Sequence, residues 1–313
     1  MKVAFLFPGQ GSQFVGMGRE MYERFNTARR VFHEADEALG FPLTRLCFEG
    51  PAEELQQTVN AQPAILTVSV ACLAVLRETG VEPAVAAGHS LGEYSALVAA
   101  GALEFGHAVR LVRKRGQFMQ EAVPLGAGGM VAVIGLDAAR VEEVCREASK
   151  GGAVVEPANY NCPGQVVVAG EMAALERAVE LAKAAGARRC VYLPVSAPFH
   201  SRLMRPAGAR LAAELARVPV ADPRFPVVSN VTASYVTSRE EVVRLLVEQV
   251  YSPVRWEESM RRLINDGVDA FVEVGPGTVL CGLMKRISRE AACRGVQDPP
   301  SLEEVLAWLR EVG

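Results

Sequence analysis

Residues 88–92 read Gly88-His89-Ser90-Leu91-Gly92, a serine between two glycines, set between a short apolar run and a stretch of small and apolar residues. This G-x-S-x-G pattern suits a nucleophile on a sharp strand-to-helix turn, where the flanking residues must be small for the chain to turn and a substrate to approach. The turn aims the Ser90 hydroxyl at a helix N-terminus, whose unpaired N–H groups favour negative charge, and the Leu91 N–H would face an oxyanion. A capping serine on an ordinary turn fits the same five residues. A serine hydroxyl attacks only when a base removes its proton, and the chain has four histidines, at 33, 89, 107 and 200. His33 falls on a charged helix, His107 near a helix start, and His89 beside Ser90, where neighbours on a turn point apart. His200 lies in Ser196-Ala197-Pro198-Phe199-His200-Ser201, after a predicted strand and before a helix. That is where open α/β sheets carry their sites; a solvated loop histidine is the plainer alternative.

Arg115 is the third residue of interest. Its neighbours at three and four residues along a helix are Leu111, Val112, Phe118 and Met119, all apolar, whereas Arg113 and Lys114 have polar neighbours and face water. Arg115 thus projects from the core-facing stripe, where an unpaired charge costs several kcal/mol or more. A salt bridge to a buried carboxylate, a side chain reaching back to solvent, and a fork for a substrate carboxylate all answer that need. Gln10 follows the first predicted strand and can bring an N–H or amide to an oxyanion hole. The same loop fails as a nucleotide site: Met17 and Gly18 stand where a phosphate loop needs Lys and Ser or Thr, and Phe14 where a dinucleotide fingerprint needs its third glycine.

The elements that must position these residues alternate. Strands are predicted at 3–7 and 85–87, with helices through Ile65, Val68, Cys72 and Val75 (Pro63 near its start), over 93–100 and over 106–122. After a hinge at 126–129 the pattern is strand 130–135, helix 138–148, strands 153–157 and 166–169, helix 172–185 and strand 190–195. This βαββαβ order is that of a ferredoxin-like unit. Alternation then resumes with helices near 206–217, 240–250, 254–266 and 278–288, strands at 227–229 and 270–274, and a last helix over 302–309. The expectation is an α/β fold with a parallel sheet, built from 1–125 and 197–313, carrying an inserted subdomain at 126–196.

Half of the 313 residues are hydrophobic, 22% are charged and the formal net charge is −3. No strong basic field exists to hold a nucleic acid. The opening MKVAFLFPGQ is too short for a signal-peptide core, and no apolar stretch is expected to be long enough to span a bilayer. Seven scattered cysteines without a C-x-x-C pair, and histidines without metal-ligand spacing, predict reduced thiols, a cytoplasmic location and no metal.

Taken together, several ordered motifs resemble the malonyl-CoA:acyl carrier protein transacylase family along nearly the whole chain. They are Phe7-Pro8-Gly9-Gln10-Gly11-Ser12-Gln13, the Gly88–Glu93 elbow, Arg115 with Gln117, Asn159-Tyr160-Asn161 with Pro163-Gly164-Gln165, Ala197-Pro198-Phe199-His200, and Glu273-Val274-Gly275-Pro276-Gly277. The resemblance implies an α/β-hydrolase-like large subdomain with a ferredoxin-like insert. It implies Ser90 as nucleophile, His200 as base and then acid, and the Gln10 and Leu91 N–H groups as oxyanion hole. Arg115 would hold the malonyl carboxylate, and the backbone carbonyl of Gln249 would orient His200 in place of an aspartate. His89, Met119, Asn159 and Phe199 would line the cleft, with Phe199 standing where relatives that prefer methylmalonyl carry a smaller residue. The substrates implied are malonyl-CoA and the pantetheine thiol of an acyl carrier protein, without a further cofactor, in fatty acid biosynthesis; a monomer is expected. Carrier proteins are acidic, so Arg113, Lys114, Arg188, Arg189, Lys285 and Arg286 are candidates for a local basic face. Loading of a polyketide carrier, a serine esterase or thioesterase, and a non-catalytic acyl-CoA binding module are the rival readings. Because only its backbone is invoked, Gln249→Ala is expected to be mild.

Overall fold

Among the described residues ten strands form, in chain order β1 (Val3–Phe7), β2 (Val85–Gly88), β3 (Gly128–Ile134), β4 (Val155–Cys162), β5 (Gln165–Glu171), β6 (Arg189–Tyr192), β7 (Val227–Val228), β8 (Tyr235–Val236), β9 (Ala270–Val274) and β10 (Ala292–Val296). They come from a computed structural model that describes residues 1–195 and 197–312; Ser196 of the His200 loop and Gly313 lie outside the described residues. β1 and β9 read VAFLF and AFVEV and are buried along their whole length, as parallel strands covered on both faces must be. They are central in a six-stranded sheet of order β10-β9-β1-β2-β7-β8, parallel except between β7 and β8. Alternate residues of β1 serve opposite cores. Phe5 and Phe7 join Ile65, Val68, Cys72 and Val75 of the helix Thr58–Glu78, while Ala4 and Leu6 join Trp256, Met260, Leu280 and Leu283.

The second sheet has the order β4-β5-β3-β6 and is antiparallel throughout. With the helices Ala138–Ala148 and Met172–Ala184 between its strands it is the expected ferredoxin-like βαββαβ unit. Val131 and Val133 of β3 pack with Val141, Val144, Leu175 and Ala178 under the two helices. Met130 and Ala132 belong to the other face, which joins the main core. That face is what brings the small sheet to the site.

Several boundaries differ from the sequence expectation. Gly128 and Gly129, read as hinge, are paired with Glu171 and Gly170 as the start of β3. β4 continues to Cys162, because register shifts at Pro157/Asn159 and Tyr160/Cys162 break the period-two pattern that would announce it. β6 ends at Tyr192, short of Pro194, which cannot donate to a ladder. β8 and β10 were not anticipated; β10, ACRGV, is an edge strand with only Val296 buried. The last helix is longer than expected, Pro299–Val312. It covers β10, with the Arg294 guanidinium 5.1 Å from the centre of the Trp308 ring.

Pro63 lies inside the helix Thr58–Glu78, not at its start. An interior proline costs about 3 kcal/mol, and complete burial of Ile65, Leu66 and Val68, at roughly 1.5–3 kcal/mol each, outweighs it. The same helix corrects the membrane expectation. It is 21 residues long and its most apolar window has a mean hydropathy of 1.8, long and apolar enough to cross a bilayer. With 83% of its most apolar window buried within the protein, it is a core helix.

Candidate active site

β2 runs into the serine turn and the helix Gly92–Ala99 leaves it. Ser90 has a φ of 51°, in the left-handed region, which costs of order 1–3 kcal/mol for a non-glycine residue. The flanking glycines are dictated by contact. A Cβ on Gly88 would lie 1.9 Å from the Gly92 carbonyl, and one on Gly92 would lie 2.0 Å from the Phe7 carbonyl oxygen. Asn230, just past β7, fastens the strained turn. Its Oδ1 accepts from the Ser90 N–H at 2.7 Å and its Nδ2 donates to the Gly88 carbonyl at 2.7 Å.

Ser90 and His200, 110 residues apart, meet with Oγ and Nε2 at 2.8 Å. His200 also has a positive φ of 60°; its N–H is held by the Val250 carbonyl at 3.2 Å. The other ring nitrogen, Nδ1, lies 2.9 Å from the Gln249 carbonyl oxygen. A carbonyl only accepts, so Nδ1 carries the proton and Nε2 presents its lone pair to the serine hydroxyl. Burial, reinforced by the charge on Arg115, pushes the imidazole pKa down to about 3. The histidine is therefore neutral and ready to accept a proton.

Arg115, on the helix Phe105–Glu121, is 1% exposed. Its Nη1 donates to Gln62 Oε1 at 2.7 Å, and its Nη2 to Gln249 Oε1 at 2.9 Å and to Ser90 Oγ at 3.2 Å. Among the described residues no carboxylate forms a salt bridge with it; Lys114, beside it, pairs with Glu214 at 2.6 Å. A structural salt bridge and a side chain reaching solvent are both set aside. Burial lowers its pKa, against the pull of Tyr94 and Glu93. What remains is a desolvated cation beside the serine, short of an anionic partner.

The cleft above these groups has a volume of about 300 Å³ and is lined by the loops that follow β1 and β2 and by Met130 and Asn159 of the small sheet. Gln10, His89, Leu91, Met119, Asn159 and Phe199 all line it. The Gln10 side chain is turned to Thr58 Oγ1 at 3.0 Å. Among the described residues neither the Gln10 nor the Leu91 N–H donates within the protein, as an oxyanion hole requires. His89 points away from Ser90, with Nε2 2.8 Å from Asn161 Oδ1. His33 is exposed and His107 contacts Glu104 and Arg110, so neither takes part.

Three polar residues of the site have no role in the sequence reading: Gln62, Asn230, and Glu93, which stands there only as the end of the elbow motif. Glu93 carried a usable signal, as the one charged residue of a helix otherwise made of small and apolar residues; Gln62, two residues from Asn60, carried none. The expectation for Gln249 is corrected. Its side chain is fully buried and bonds Arg115, the Ser90 carbonyl and Glu93, so Gln249→Ala removes far more than a side chain from solvent.

A family model described as acyl transferase domain matches residues 4–311. The malonyl CoA-acyl carrier protein transacylase of Bacillus subtilis (strain 168) is 52% identical over 310 residues, 99% of this chain and 98% of that protein. The chain belongs to the malonyl-CoA:acyl carrier protein transacylase family. Two solved structures agree. The acyl carrier protein S-malonyltransferase of Vibrio cholerae superposes with a TM-score of 0.95 at 47% identity, over 97% of this chain and all of that one (100%). A malonyl-transacylase solved in complex with its holo type II PKS acyl-carrier protein gives 0.96 at 46% identity, over 98% and 99%. The acyl transferase match, residues 4–311, takes in both sheets and Ser90, Arg115, His200 and Gln249, so the four-stranded sheet belongs to the same family unit as the serine turn.

Proposed function

We propose that the chain moves a malonyl group from malonyl-CoA to the pantetheine thiol of an acyl carrier protein through a malonyl ester on Ser90. The observation that carries this reading is Arg115 Nη2, buried without a carboxylate partner, 3.2 Å from the oxygen of a Ser90–His200 pair. His200 Nε2 takes the hydroxyl proton as Ser90 Oγ attacks the thioester carbonyl. The Leu91 and Gln10 N–H groups receive the oxyanion. The C–S bond breaks and the coenzyme A thiolate takes the proton from His200. In the second half the pantetheine thiol gives its proton to His200 and attacks the ester carbonyl, and Ser90 leaves with that proton. The malonyl carboxylate pairs with the guanidinium, whose plane Gln62 and Gln249 hold; charge-assisted bonds of this kind contribute roughly 1.5–3 kcal/mol.

Phe199 narrows the cleft, favouring malonyl over its methyl-branched analogue. Residues 126–196 form the small subdomain that supplies Met130 and Asn159 to the cleft wall. All seven cysteines are free, in keeping with a cytoplasmic enzyme of fatty acid biosynthesis. The relative bound to a type II PKS carrier favours polyketide loading as the second reading, with the same chemistry and a different acceptor. A serine esterase leaves Arg115 without purpose.

Mass spectrometry after mixing with malonyl-CoA tests the proposal. A malonyl adduct on Ser90 is expected in the wild type and none in Ser90→Ala; an adduct that survives in the variant ends the assignment. Arg115→Ala is expected to lose malonyl loading far more than acetyl loading, and equal losses would remove the carboxylate fork.

A further inference from the structure

Glu93 is a carboxyl group 3% exposed, in the first turn of a helix otherwise made of small and apolar residues. It does not line the cleft. Its Oε2 accepts from Gln249 Nε2 at 2.8 Å and from the Asn230 N–H at 3.1 Å. Gln249 Nε2 donates also to the Ser90 carbonyl at 2.9 Å, and Gln249 Oε1 accepts from Arg115 Nη2 at 2.9 Å. Reversing that amide would set its oxygen against three acceptors, the Ser90 carbonyl, Glu93 Oε2 and Asn230 Oδ1, and its NH2 against a guanidinium that only donates. The network thus permits one orientation, and Glu93, at 2.8 Å, is the nearer of its two side-chain acceptors, Asn230 Oδ1 lying at 3.4 Å.

Two consequences meet at residue 249. Its Oε1 fixes one arm of the Arg115 fork, and its backbone carbonyl receives the His200 Nδ1–H. A carboxylate touching Arg115 directly would compete with an incoming anion. One amide removed, Glu93 offers the buried cation a counter-charge without placing a carboxylate on the fork, whose partners are the neutral Gln62, Gln249 and Ser90. Burial pushes the Glu93 carboxyl up to about 7, against the pull of Gln249, Asn230 and Arg115. Oε2 accepts in either protonation state, so positioning depends on hydrogen-bond acceptance and not on a full charge.

We propose that Glu93 is a positioning residue of the transfer reaction, which turns Gln249 Oε1 onto Arg115 and holds the Gln249 carbonyl in line with His200. This rests on the function proposed above. The test compares wild type, Glu93→Gln and Glu93→Ala in malonyl and acetyl loading, with rates taken per folded enzyme. Glu93→Ala is expected to lower kcat for malonyl loading about ten- to hundredfold, as misplacement of reacting groups does, and to lower the malonyl-to-acetyl ratio. Glu93→Gln, which keeps an acceptor, is expected to stay within about threefold of wild type. Glu93→Met keeps the volume without a comparable acceptor and carries the expectation of Glu93→Ala should that variant not fold. An unchanged malonyl-to-acetyl ratio in the acceptor-less variants overturns the proposal, as does a folded Glu93→Gln as impaired as they are. Those results come with a normal Ser90 adduct in the wild type, whereas a wild type without the adduct overturns the functional reading and this inference together.

Discussion

His200 leans on a peptide carbonyl, where many serine enzymes place a carboxylate. The carbonyl aligns the ring and fixes its tautomer but adds no full negative charge to stabilise an imidazolium. Burial and the nearby Arg115 then hold the pKa at about 3. A malonyl carboxylate on Arg115 would cancel that second influence, so the proposed substrate itself raises the basicity of the group that must take the serine proton. In the free enzyme the base stays neutral across the range in which an ordinary histidine titrates. Glu93, at about 7, is a buried group of the site that does titrate near neutrality, so the Glu93→Gln background isolates the histidine. There, kcat/KM for loading is expected to be flat from about pH 5 to 8. An acid limb centred near 6.5 would show that His200 is solvated in the working enzyme.

At the scale of elements, what was legible followed how each residue announces its environment. The Gly88 to Gly92 turn was readable because both glycines are forced by backbone approach within 2.0 Å, a constraint that leaves its mark in residue type. Arg115 was readable because helical spacing alone placed it among apolar neighbours. The helix Ala138–Ala148 and β9 matched their expected limits, each having an uninterrupted period. The strands that were missed or misjudged lack one. β4 carries two register shifts, β8 has two residues, and β10 buries a single side chain. The site was half legible for a related reason. Ser90, His200 and Arg115 are chemically loud, whereas Gln62, Gln249 and Asn230 act through amides whose meaning depends on which distant group they face. Gln249 shows the limit most clearly. A reading confined to its backbone saw one contact of a residue that joins Arg115, Ser90, Glu93 and His200.

At the scale of the molecule, a net charge of −3 must be reconciled with the acidic carrier protein proposed as its partner, and the distribution of charge reconciles them. Of six candidates for a basic face, Lys114 is tied to Glu214 at 2.6 Å. Arg113 lies over the Phe41 ring at 4.2 Å and bonds Asn60. The remaining four are exposed and gather at one end of the small sheet. Arg188 and Arg189 flank Ile134, the last residue of β3. Ile134 pairs with Gln165, and Arg286, next to Lys285, bonds Gln165 and the Pro163 carbonyl. Among the described residues none of the four is in a salt bridge, so their charge is available to a partner. From Ile134 back to Met130 in the cleft wall is four residues of strand, about 13 Å, a span that a pantetheine arm would have to cover. Exposed charges of this kind act chiefly on encounter. Changing all four to alanine is therefore expected to raise KM for an acidic carrier protein about tenfold or more at low salt, with the difference shrinking as ionic strength rises. Transfer to free pantetheine, which has no acidic surface to recognise, is expected to be unchanged. An unaltered carrier KM, or an equal loss with free pantetheine, would move the docking surface elsewhere on the molecule.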